Sequence, residues 1–133
     1  MPTVVVHDLA EAVAAARAAA AEGAALTLRS PPGFGRSLGV GGWQALAEAV
    51  RAAVPNAEIA FCLDCADHVG DAQAAIAFGA KRIALSPNAR GYARLTALAE
   101  AEAVAVEPGA ADLDLAFIHD PEAATRRLLQ NHR

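Results

Sequence analysis

The chain has 133 residues, 55% hydrophobic and only 5% aromatic, so one domain is expected, its core built from alanine, valine and leucine. Eleven basic residues against fifteen acidic ones leave a net charge of −4. The basic residues are scattered and not interleaved with aromatics, which excludes a nucleic-acid surface, and charged residues or glycines break the alanine stretches before they reach membrane-spanning length.

The start, MPTVVVHDLAEAV, lacks the basic residues and apolar stretch of an export signal. With only two cysteines, a reduced cytoplasmic protein with free thiols is expected. The β-branched run Thr3-Val4-Val5-Val6-His7 reads as a first strand. Asp8 can cap the helix that follows, with Leu9, Val13, Ala16 and Ala20 as its inward stripe and Gly23 as its stop. Ala25 to Arg29 is the second strand, and Ser30 to Gly42 reads as a long glycine-rich loop. Trp43, Leu46, Ala47, Val50 and Val54 mark the second helix, and Glu58 to Leu63 the third strand.

The third helix runs from about Asp67 to Phe78, with Asp67 as a second candidate cap. Arg82 to Ser86 is the fourth strand, the helix of Tyr92, Leu95, Leu98 and Ala99 follows, and Ala103 to Glu107 is the fifth. Asp112 to Ile118 alternates weakly and reads as a short strand or a loop. Asp120-Pro121-Glu122 opens a terminal helix ending near Asn131.

Strands that alternate with helices, and are apolar at consecutive positions, call for a parallel sheet covered on both faces. The expectation is a five-stranded (βα)5 sheet with an extra C-terminal helix. It would form either a half-barrel or an open, flavodoxin-like three-layer sandwich. An incomplete sheet exposes apolar strand surface, so a homodimer is expected, joined through that face or through Phe34 and Leu38 of the loop.

In a parallel sheet all strand C-termini lie along one rim, where ligands bind. Here the ends read His7-Asp8, Arg29-Ser30, Asp64-Cys65, Ser86-Pro87 and Glu107-Pro108. Asp64 with His7 is a candidate acid/base pair, with Arg29 as a clamp for a carboxylate or phosphate. Ser30, Asp67, Ser86 and Glu107 complete the candidate ligand set. Cys65 is a candidate nucleophile with His68 as its base. Cys62 and Cys65 form a C-x-x-C, but Cys62 falls inside the strand and no second Cys or His pair follows, so no metal is expected. The loop lacks both nucleotide-binding spacings, and no cofactor is expected. Gly41 and Gly42 are left as a generic anion site at a helix start.

Three stretches resemble the 2-keto-3-deoxy-6-phosphogluconate aldolase family of TIM barrels over its first five βα units. Leu26-Thr27-Leu28-Arg29-Ser30-Pro31 is similar to that family's Thr-Leu-Arg-Thr-Pro motif at the end of strand two. The passage from Asp71 to Pro87 resembles its third helix and fourth strand, and Val104 to Gly109 its fifth strand and turn. The resemblance implies a half-barrel and carries over Arg29, with Ser86 as a weaker match. The family's acid/base glutamate falls on Ala25, and the single lysine, Lys81, precedes the fourth strand, so aldolase activity is not implied. Asp64 also resembles the phosphorylated aspartate of response-regulator receivers, but no lysine follows the fifth strand as that family requires. The expectation is therefore a homo-oligomeric module, structural or binding a small anionic metabolite, with a small lyase or hydrolase as the alternative.

Overall fold

The structure, a computed structural model, describes residues 1–34 and 39–132. Its strands are β1 (Thr3–Val5), β2 (Leu26–Arg29), β3 (Ile59–Asp64), β4 (Arg82–Ala84), β5 (Ala105–Glu107) and β6 (Leu113–Asp114). Its helices are α1 (Leu9–Glu22), α2 (Gly39–Ala53), α3 (Val69–Ala77), α4 (Tyr92–Ala101) and α5 (Pro121–Asn131). The chain is α/β with a parallel sheet in the order β5-β4-β3-β2-β1-β6. From β1 to β5 each strand lies beside its predecessor, so every crossover steps the same way. A flavodoxin-like sheet runs 2-1-3-4-5, and this order sets that alternative aside.

The expected count of five strands is corrected to six. Leu113 and Asp114 pair with Val4 and Val5, which gives β1 a neighbour on its second side. The weak alternation of Asp112 to Ile118 left a short strand or a loop open, and the pairing makes Leu113 and Asp114 a strand.

The chain forms two compact units. The first comprises Met1–Arg29, Ala45–Phe61 and Ala111–Arg133. Within it β1 pairs Thr3, Val4 and Val5 with Thr27, Leu28 and Arg29. The Asp8 side chain caps α1 by accepting from the Glu11 N–H at 2.8 Å, while the Glu11 carboxylate accepts from the His7 N–H at 2.8 Å. Gly23, at φ 59°, ends α1 in a left-handed turn that donates to Ala19 and Ala20 carbonyls. The buried face of α1 is Ala12, Ala15, Ala16, Ala18 and Ala19, whereas Leu9 is exposed. Small side chains let α1 lie close against β2 and α5. The alanines thus carry the contact that the sequence assigned partly to Leu9 and Val13. Arg126 of α5 grips the Glu22 carboxylate through Nε and Nη2, each at 3.1 Å.

The second unit comprises Ser30–Gln44 and Cys62–Ala110. Here Leu63 and Asp64 of β3 pair with Ile83 and Ala84 of β4, and Ala84 pairs with Glu107 of β5. Phe34 and Trp43 meet edge to face with ring centroids 5.5 Å apart, and both are buried. Phe34 is therefore core rather than the exposed dimer contact expected of it; Leu38, its companion in that expectation, lies outside the described residues with Gly35, Arg36 and Ser37. Helix α2 already includes Gly39 to Gly42, so the loop is shorter than read. Gly41 sits where a β-carbon would stand 4.0 Å from the Phe78 ring. A β-carbon there would make only ordinary van der Waals contact with that ring. Among the described residues no helix is long and apolar enough to cross a membrane.

Candidate functional site

In the first unit β2, β1 and β6 end together: Val5 pairs with Arg29 on one side and with Asp114 on the other. Paired residues in parallel strands point to the same face, and side chains alternate along a strand. Arg29, Val5 and Asp114 thus share one face, and His7, in the bend just past β1, reaches its Asp114 end. There His7 Nε2 lies 2.6 Å from Asp114 Oδ1. Arg29, at 5% exposure, is drawn into the protein at the end of β2.

The carboxylate that meets His7 is therefore Asp114, which sequence reasoning missed, rather than Asp64, which lies in the other unit. Partial burial pulls the Asp114 pKa upward, but the Ala116 N–H at 2.9 Å and the His7 hydrogen bond and charge outweigh it, and the net shift is downward. An ionised carboxylate only accepts, so the proton in this bond sits on Nε2, leaving Nδ1 as the other ring nitrogen. The signal available in the sequence was the alternation Leu113-Asp114-Leu115 next to a strand that needed an edge partner.

In the second unit Asp64, Ala84 and Glu107 lie level across β3, β4 and β5. The polar groups here serve the backbone. The Ser30 hydroxyl, fully buried, accepts from the Asp64 N–H at 2.8 Å and donates to the Pro31 carbonyl at 3.3 Å. Asp64 Oδ1 accepts from the Ala66 N–H at 2.8 Å, stabilising a turn in which Ala66 takes φ 53°. Ser86 accepts from the Asn88 N–H at 3.3 Å. Glu107 is paired with Arg82 at 2.8 Å.

Cys65 is buried, and its thiol donates weakly to the Leu63 carbonyl at 3.8 Å. Burial first, then the charges of Asp64 and Asp71, push its pKa up to about 12. The thiol stays protonated at neutral pH, which removes the basis for reading Cys65 as a nucleophile. Asp67 is not the cap of α3: that position is His68, whose ring Nδ1 lies 3.4 Å from Asp67 Oδ1 and whose side chain makes no capping bond. Gly41 and Gly42 lie in the first turn of α2, which begins at Gly39, as the reading of a helix start there expects. Cys62 is fully buried and not in a disulfide. Among the described residues no three His, Cys, Asp or Glu side chains are placed to hold a metal ion.

Compared with known proteins, the chain matches no family model and no curated sequence.

Proposed function

We propose that the chain is a small α/β module that binds an anionic metabolite, a carboxylate or phosphate, at the C-terminal ends of β2, β1 and β6. One observation carries this reading: the register that sets Arg29 and Asp114 level on either side of Val5, with His7 bonded to Asp114. A guanidinium offers forked donors that suit planar or tetrahedral oxyanions, and partial removal from water strengthens the attraction. The aldolase resemblance supports Arg29 as the anion clamp. Two buried thiols outside any disulfide suit a reducing compartment such as the cytoplasm. The Ser30 and Ser86 hydroxyls and the Asp64 carboxylate of the second unit's rim already accept from backbone N–H groups, which favours binding without catalysis.

Thermal-shift measurements against phosphosugars and small organic acids test the proposal. A ligand at 100 times its dissociation constant adds about 2.7 kcal/mol of apparent stability, an easily read rise in Tm. At least one compound is expected to stabilise the native chain and to lose most of that effect in Arg29→Lys, which keeps the charge but not the fork. No shift across the panel, or equal shifts in Arg29→Lys, refutes the proposal.

A second reading, a small lyase or hydrolase, is favoured by the 2.6 Å His7–Asp114 contact. There His7 would carry the proton, Asp114 would orient it, and Arg29 would clamp the substrate. Turnover of a bound compound, abolished in His7→Asn, supports it; binding without turnover rejects it.

A further inference from the structure

We propose that residues 112–118 form a detachable strap over the edge of β1, and that lifting the strap lets β1 pair with β1 of a second copy of this chain. The inference starts from what β1 would be without its neighbour. Thr3, Val4, Val5 and Val6 are four successive β-branched residues, all buried. Edge strands are usually guarded by charge or proline. Residues 3–6 carry neither, so β6 is the guard.

The guard is thinly held. Its ladder is two residues long, Leu113 and Asp114 against Val4 and Val5. The Asp112 N–H donates to the Thr3 carbonyl at 2.8 Å, and the Leu115 N–H to the Val5 carbonyl at 3.0 Å. Two further contacts come from exposed aspartates: Asp112 Oδ2 accepts from the Thr3 N–H at 2.8 Å, and Asp114 binds His7. Contacts of this kind at the water boundary are worth little each. Leu115 alone is fully buried, while Phe117 and Ile118 are exposed. Phe117 also takes φ 61°, a left-handed conformation that costs an L-residue roughly 1–2 kcal/mol.

Next to it, β2 buries all four of its residues. The strap therefore opens at lower free energy than the strands it covers. Helix α5 has its own anchors, the Asp120 cap and the Arg126–Glu22 contact, and stays on α1 when the strap lifts. The bared edge is complementary to itself: two copies about a twofold axis set valine against valine in an antiparallel ladder. A second copy is thus the partner whose chemistry this edge fits.

Hydrogen exchange and sedimentation on the full chain test the inference. In the native protein, the amides of 112–118 are expected to exchange at least about tenfold faster than those of β2, as a sub-global opening requires. Equal rates overturn the strap. The double variant Asp112→Ala/Leu115→Ser loosens the strap, and Asp114 moves with it, so the inference is read from mass and hydrogen exchange without added ligand, independently of whether the native chain binds an anion. The variant is expected to double its mass at tens of micromolar, with protection of residues 1–6 rising with protein concentration. A variant mass equal to that of the native chain overturns the inference. So does wholesale loss of circular dichroism, which would make the strap part of the cooperative core.

Discussion

Two side chains show most directly how surroundings decide what a residue can do. Cys65 stands at the mouth of β3, yet burial and two nearby carboxylates hold its thiol protonated. Native protein at pH 8 is expected to leave both cysteines unlabelled by a disulfide reagent, and unfolded protein to expose both. Rapid labelling of one thiol in the native state would contradict this. Asp114 shows the opposite shift. Its folded pKa lies below its unfolded one, so it contributes stability above the unfolded pKa and loses it as pH falls through the folded value. The stability gap between the native chain and Asp114→Asn, followed by denaturant titration, is therefore expected to be constant from about pH 5 to 7 and to close below about pH 4. A gap that widens toward acid would reverse the assignment. Sequence reasoning picked out His7 because strand ends are polar, but its partner lies 107 residues away and is fixed only by the β1–β6 register.

At the level of elements, the sequence was most readable where periodicity and capping agreed. Asp8 caps α1 and Asp120 caps α5, with proline at the first helical position, as their residue types predict. The reading failed where alanine replaced larger residues. Propensity gives a helix for residues 9–22, but a run this rich in alanine does not say which face is buried, and the exposed side proved to include Leu9. It failed again at Gly39 to Gly42, which poor helix propensity assigned to a loop and which form the first turn of α2. The alanine face gives a sharp expectation: Ala16→Leu overfills a fully buried position and should cost about 1–3 kcal/mol in chemical denaturation. A neutral result would mean that α1 is less closely packed than described.

For the whole molecule, parallel α/β architecture was legible because strands apolar at consecutive positions alternate with helical stripes. Strand order was not legible, since every crossover in a chain of βα units satisfies the same local rules whichever side it lands on. The observed order keeps β1 to β5 in sequence and adds β6 outside β1, and the resulting trio of β2, β1 and β6 is what gathers Arg29, His7 and Asp114. The candidate rim was thus half legible: its location followed from parallel strands, while its acidic member came from a stretch left open between strand and loop. The most direct test of that trio is a nuclear magnetic resonance titration of the labelled chain with the anion that stabilises it most. The account predicts amide shifts concentrated at Val6 to Asp8, at Arg29 and Ser30, and from Asp114 to Ala116. Shifts centred instead on Asp64 to His68 and Ser86, or none at saturating anion, would contradict it.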